Sequence, residues 1–230
     1  MTMDLGNPVV TLCAEGMRAE VDGRSGDARD LFARAWEAAR DDYEACVAAH
    51  YLARRQDTAA DRLAWNAEAL ARAERVGDER VAGFLSSLHV NLARAHADLA
   101  DPATARTHYA RAADTLDSVP PGPYRDWVRY AIANGLRTTA SAAKQVAATA
   151  TATEAAATTA ATEALAAVVD ALCARRDLVG LAVLLPPYAG DLGTDGDRAA
   201  VVTALQMLHA SPGLPAAERA LVRRALAAGS

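Results

Sequence analysis

The sequence predicts an all-α protein, and three observations lead there. Alanine is abundant while aromatic residues make up only 5% of the chain, and alanine is the best intrinsic helix former. No stretch of useful length alternates apolar and polar residues with period two, so no strand pattern competes. Residues 86–116, SLHVNLARAHADLADPATARTHYARAADTL, read as two amphipathic helices around a tight turn at Ala100-Asp101-Pro102. Asn91, Leu92 and Ala93 fall on the first helix of that hairpin. Ala105, Tyr109 and Ala112 fall on the second, at spacings of four and three. Small residues then mark where the helices cross, and a ring plugs the gap.

The composition sets bounds on function. Apolar residues make up 52% of the 230 and charged residues 23%, enough to build a core and too apolar for global disorder. The net charge is −5, Lys144 is the sole lysine, and no basic face stands out. Nucleic-acid binding, which rests on a Lys/Arg footprint, is therefore not expected. The first ten residues, MTMDLGNPVV, lack the basic and apolar segments of a signal peptide. No run of about 18 apolar residues exists to span a membrane. Cys13, Cys46 and Cys173 are few and scattered, which points to free thiols and a cytoplasmic location rather than a disulfide framework.

Taken in order, Asn7-Pro8 precedes a first helix over Val10 to Asp22. Gly23 to Gly26 turn the chain, and Asp27 is placed to cap a second helix ending near Arg40. Ala28, Phe32 and Ala35 repeat the four-three spacing there, and Gly16 stands twelve residues before Ala28. A second hairpin opens near Asp41. It carries Ala48 and Tyr51 on its first helix, a turn at Gln56-Asp57-Thr58 with Asp57 as the expected N-cap, and Ala60, Ala64 and Ala67 on its second, which stops at Gly77. A third hairpin starts near Asp78, places Ala93 twelve before Ala105, and ends at the SVPPGP stretch of Ser118 to Pro123. A capping helix follows, with Tyr124, Trp127, Val128 and Ile132 as its expected buried face and a stop near Asn134-Gly135.

Residues 139–162 are low-complexity Ala/Thr. Composition favours a linker over the start of one long alanine-rich helix. Residues 163–230 read as a small helical domain. Leu165, Val168, Val169 and Leu172 form one stripe, and a short helix ends at Pro186-Pro187. Val201, Val202, Leu205 and Leu208 lie on one face of the next helix, and a last helix starts at Pro215. This part either extends the hairpin array in degenerate form or packs as a separate bundle.

The first 138 residues resemble the tetratricopeptide repeat family over about residues 9–138. The resemblance rests on the small pairs Gly16/Ala28, Ala48/Ala60 and Ala93/Ala105, the rings Phe32, Tyr51 and Tyr109, and the closing Ala35, Ala67 and Ala112. The sequence departs from the family pattern at Glu15, where an apolar residue is usual, and at Ala64, where a ring is usual. The steps Gly16 to Ala48 and Ala48 to Ala93 are 32 and 45 residues, against the family period of about 34. The resemblance implies a right-handed superhelix of about three hairpins plus a capping helix, in which stacked hairpins bury one continuous core. It further implies a concave groove lined by the first helix of each hairpin and filled by a peptide or protein partner. The matching positions are Cys13, Met17 and Glu20 in the first hairpin, and Asp42, Ala49 and Leu52 in the second. The third hairpin adds Val90, Asn91, Arg94 and Asp98, and the capping helix adds Arg125 and Arg129. Asn91, Arg94 and the two cap arginines could hold a carboxylate by charge-assisted bonds.

Chemistry is hard to find. No glycine-rich loop follows a strand, and no paired-cysteine or His-Glu-x-x-His spacing offers a metal site. Cys46 and His50 lie four apart, but two ligands are not a site. His89 and His96, seven apart, read as packed imidazoles bonded to neighbours rather than a catalytic pair. Asp191, Asp195 and Asp197 fall short of a calcium loop, so a turn with an aspartate cap is expected. The reading is a non-catalytic adaptor with no cofactor and no metal, binding a protein or peptide in its groove and neither nucleic acid nor membrane, with the C-terminal module serving a second contact or a homodimer. The alternative is a regulatory module that senses a ligand or a signalling peptide.

Overall fold

The computed structural model describes residues 6–146 and 153–228. Among them the fold is all-helical, with eleven α-helices and no strand. The chain divides into two compact units, 1–143 and 144–230. None of the described helices is long and apolar enough to cross a membrane.

The first unit is built from hairpins. α1 (Pro8–Val21) starts at Asn7, whose side chain accepts from the Val9 and Val10 amides at 2.9 and 3.2 Å, with Pro8 in the first turn. The same Asn7 donates to Glu44 at 2.7 Å and so ties α1 to α3. α2 (Ser25–Ala38) has no side-chain cap; Asp27 lies inside its first turn and pairs with the exposed Arg24 instead. α3 (Asp42–Ala53) is capped by Asp41. α4 (Ala59–Val76) is capped not by Asp57 but by Thr58, whose hydroxyl oxygen takes the Asp61 amide at 3.0 Å. Asp57 stands one residue before the cap position of a helix that starts at Ala59, and its carboxylate pairs with Arg29 at 2.8 Å instead. α4 ends at Gly77, whose φ of 62° lies in the left-handed region that glycine enters without penalty. α5 (Glu79–Asp98) and α6 (Pro102–Asp114) form the third hairpin around the expected turn, with Ala100 at φ 59° and Asp101 capping through the Thr104 amide. A short 3-10 turn (Leu116–Ser118) leads to α7 (Pro123–Val146).

The expected small-and-ring packing holds in the first and third hairpins. Gly16, Ala28, Phe32 and Ala35 are buried together, and a Cβ on Gly16 would lie 2.3 Å from the Phe32 ring. Phe32 stacks on Tyr51 of α3 at 5.3 Å. In the third hairpin Ala93, Ala105, Tyr109 and Ala112 are buried, and the Ser86 hydroxyl donates to the Ala112 carbonyl at 2.8 Å. Gly135 does not end the capping helix. It lies inside α7, where a Cβ would come within 2.1 Å of the Tyr109 ring. Its role is close approach, not termination.

The second hairpin corrects the expected register. Ala60, Ala64 and Ala67 face solvent, while Asn66, Ala69, Leu70 and Ala73 are buried. Counting from the α1/α2 pattern, the matching positions in the second hairpin are His50, Arg62, Asn66 and Ala69. Each lies 34 residues after Gly16, Ala28, Phe32 and Ala35 respectively. The alanine run had offered a false match because alanine is common on every face of these helices. Val128 and Ile132 of α7 are buried as expected, but Tyr124 and Trp127 are 50% and 49% exposed.

In the second unit α8 (Thr153–Arg175), α9 (Leu178–Ala189), α10 (Asp195–Ala210) and α11 (Ala216–Ala228) surround a core that includes Val168, Leu172, Leu184, Leu205, Leu208 and Val222. Of the stretch read as a linker, 139–146 continue α7 and 153–162 belong to α8, while 147–152 lie outside the described residues. α9 runs past Pro186-Pro187 to Ala189. Lacking an N–H, Pro186 and Pro187 leave the Ala182 and Val183 carbonyls without their i→i−4 amides, yet the helix closes one more turn, with the Gly190 amide reaching the Pro186 carbonyl at 3.0 Å. The Asp191–Asp197 turn is a capping box: Thr194 takes the Asp197 amide, and the Asp197 carboxylate takes the Leu192 and Thr194 amides.

Gly16→Ala and Gly135→Ala should each cost about 1–3 kcal/mol of stability through overpacking against a ring, outweighing alanine's better helix propensity; urea unfolding of the variants measures this. The burial register makes a separate expectation. Ala64→Glu should stay within about 0.5 kcal/mol of wild type, whereas Ala69→Leu should lose about 1–3 kcal/mol. The opposite order would overturn the register.

Candidate functional site

The ring that fills the first and third hairpins has no counterpart in the second. Phe32 sits where α1, α2 and α3 meet, and Tyr109 where α5, α6 and α7 meet. The matching position between α3, α4 and α5 holds Asn66. A cavity of about 180 Å³ opens there, lined by Arg54, Arg62, Asn66, Asn91, Arg94 and Asp98 with Ala53 and Ala95. Asn66 is only 5% exposed, and its Oδ1 is buried without a hydrogen-bond partner.

A second cavity of about 330 Å³ shares Arg54, Asn91 and Arg94 with the first and adds His50, Ser87, Tyr124 and Trp127. Together they make one polar cleft over α3, α5 and the start of α7. Its lining holds three guanidiniums and one carboxylate, Asp98, in a chain whose net charge is −5. Arg62 is matched by Asp98 at 2.9 Å, and Arg54 by Glu20 at 2.9 Å from outside the lining. Arg94 forms no ion pair among the described residues. Its guanidinium lies 5.3 Å from the centre of the Trp127 ring, and its charge draws the Tyr109 hydroxyl down against the upward push of burial. A cation over a ring face and an unspent positive charge beside open space suit an oxyanion.

His50 faces Asn91, with Nδ1 and Nδ2 3.5 Å apart. Burial, aided by the charge on Arg54, pulls the His50 imidazole down to about 4, so it is neutral at pH 7. A second imidazole group lies on the α5–α6 face. His89 and His108 meet Nδ1 to Nδ1 at 3.1 Å, and His96 stacks on His108 at 5.5 Å while its own Nδ1 is 3.4 Å from Asp101. One shared proton satisfies the 3.1 Å contact; two would repel. Burial, and then the charges of His89, His96 and Arg111, hold His108 down to about 4, and burial lowers His89 as well. No group of three or more metal-ligating side chains is in metal-holding geometry among the described residues.

The expected groove residues divide. Asn91, Arg94 and Asp98 line the cleft. Glu20 stands behind it, bonded to Arg54 and Arg55. Met17 packs against the α1–α3 core. Ala49, Leu52 and Val90 are buried and offer no groove surface, a correction to the sequence expectation. Each sits on the side of its helix turned to the core, because the hairpins pack on both faces of α3 and α5. Asp42 lies at the far end of α3, paired with Arg72 and Arg75. Arg125 is spent on Asp117, and Arg129 and Arg125 are absent from both cavity linings. Cys13 and Cys46 are buried, with their thiols pushed up to about 12 by burial, and Cys173 is exposed. His50, Arg54, Arg62, Asn66, Tyr124 and Trp127 were missed as a group. The 34-residue step from Gly16 to His50 and from Phe32 to Asn66 was the signal that could have found the first and fourth.

In the second unit a cavity of about 270 Å³ lies between α9 and α10, beside exposed Val179 and Met207. No family model matches the chain, and no curated protein and no solved structure matches it.

The imidazoles set a pH dependence with a definite sign. His50 and His108 are neutral in the fold with values near 4, against about 6.5 in the unfolded chain. The unfolded chain therefore binds more protons between those values, and stability falls as pH drops from about 6.5 towards 4. The melting temperature should be insensitive to these groups above pH 7 and decline below 6.5. His108→Gln should flatten that decline in a calorimetric pH series.

Proposed function

We propose that the N-terminal unit is a non-catalytic recognition module of the tetratricopeptide type, binding a protein or peptide partner through an anionic group seated in the α3–α5–α7 cleft. One observation carries the reading: three guanidiniums and two carboxamides converge on open space at the position where neighbouring hairpins hold a ring, and a neutral histidine lines the adjoining cavity. The repeat resemblance is supported by the 34-residue step from Phe32 and Ala35 to Asn66 and Ala69, all four of them buried. The next step, His50 to Ala93, is 43 residues, and the added length goes into α4 and α5, of 18 and 20 residues. The protein acts as an adaptor in the cytoplasm, and the C-terminal unit serves a second contact or self-association.

A second reading, ligand sensing, is favoured by one specific feature. The residues that would have made an apolar peptide groove, Leu52 and Val90, are buried. What is left is a compact polar cleft of a size suited to a small molecule.

Affinity capture from the native cytoplasm, with wild type against Asn91→Ala/Arg94→Glu, tests the adaptor reading. A partner held by wild type should be lost by the variant, with helicity by circular dichroism unchanged. A partner retained by both would move binding away from the cleft, and capture of none would leave the sensing reading to be tested on small molecules.

A further inference from the structure

The cleft carries more positive charge than its ion pairs use. The guanidiniums of Arg54, Arg55, Arg62 and Arg94 stand in it or behind it, and only two carboxylates, Glu20 and Asp98, pair with them among the described residues. Glu20 is shared between Arg54 and Arg55, Asp98 is taken by Arg62, and Arg94 forms no ion pair. Two positive charges are therefore left over beside open space, in a chain whose net charge is −5. A carboxylate would balance one of them. A phosphate monoester, with a charge of about −1.5 to −2 at pH 7, balances both, and guanidiniums match its oxygens in geometry as well as in charge.

The second observation is aromatic. Tyr124 and Trp127 are half exposed, lie within 18° of parallel with ring centres 6.2 Å apart, and both line the cavity of about 330 Å³. The core takes Val128 and Ile132 from the same helix and leaves these two rings to the cleft. Arg94 lies 5.3 Å from the centre of the Trp127 ring, so a phosphate held on Arg94 brings whatever carries it against the pair. A planar ring gains most there, by stacking. Asn91 and Ser87 add neutral donors on the same wall.

We infer that the cleft is a subsite for a phosphate monoester borne on an aromatic ring. Arg94 and Arg54 hold the phosphate, with the Asn91 amide beside them, and the ring lies on Tyr124 and Trp127. Such a group has two sources, a phosphotyrosine side chain of a protein partner and a free aryl phosphate. The inference rests on the reading of this cleft as an anion site and names the anion.

Titration calorimetry on the full chain compares phenyl phosphate with two analogues. Phenyl sulfate keeps the shape and loses one charge; propyl phosphate keeps the charge and loses the ring. Phenyl phosphate should bind about threefold or more tightly than either, the factor expected of one aromatic stack or one partly exposed ion pair. Tyr124→Ala/Trp127→Ala should erase the advantage over propyl phosphate and keep the advantage over phenyl sulfate. Arg94→Gln should do the reverse. All three side chains are exposed, and circular dichroism should show both variants folded. A short peptide centred on phosphotyrosine separates the sources: tighter binding than phenyl phosphate assigns the group to a protein partner, and weaker binding assigns it to a free aryl phosphate. A wild-type chain that does not prefer phenyl phosphate to both analogues overturns the inference. Loss of a captured partner in Asn91→Ala/Arg94→Glu, alongside no such preference in wild type, would keep the cleft as an interaction surface and reject only the aryl phosphate subsite.

Discussion

Helices that carry no side chain at their crossing point can approach until a ring from the paired helix fills the gap, and the N-terminal unit depends on that close approach. Gly16 admits Phe32 and Gly135 admits Tyr109, each at a separation that a single added carbon would violate. The burial this allows is large, since an aromatic ring removes more apolar surface than any alanine can. In a chain with few aromatic residues, these rings anchor an otherwise alanine-rich core. Alanine lets helices come close but gains little by burial, so the rings decide where hairpins lock.

The same constraint accounts for the cleft. With Asn66 in place of a ring, α3, α4 and α5 enclose space instead of packing it, and polar residues line that space. Arg94 joins the two features: its charge acts on the Tyr109 hydroxyl of one plug and it lies over Trp127, while lining the cavity that the missing plug leaves. The capping helix thus has two jobs. Val128, Ile132 and Gly135 close the third hairpin, and Tyr124 and Trp127 wall the cleft rather than the core.

The pair of neutral imidazole sites is a consequence of packing as well. His50 stands 34 residues after Gly16, and its ring is half-buried against Tyr51 and Asn91 at the wall of the cleft. His108 is held between His89 and His96 across the α5–α6 hairpin. Both groups resist protonation because charging them would bring unbalanced charge into a partly dry, already cationic setting.

What the sequence by itself determined was local. Helix-forming composition, the helix starts at Asn7, Asp41 and the Ala100-Asp101-Pro102 turn, the Gly77 stop and the small-and-ring spacing of the first and third hairpins follow from interactions within a few residues, whereas the caps expected at Asp27 and Asp57 are not used. Part of the candidate site was legible in the same way: Asn91, Arg94 and Asp98 fell on the helix face that lines the cleft. Only the tertiary structure decided the register of the second hairpin, because alanine occurs on buried and exposed faces alike and carries no signal of its own. It alone decided that Gly135 is a contact rather than a stop, since Tyr109 lies 26 residues away. And it alone turned Asn66 from an unremarked polar residue into the floor of a cavity, because burial of a side chain is a property of what packs around it and not of its neighbours in sequence.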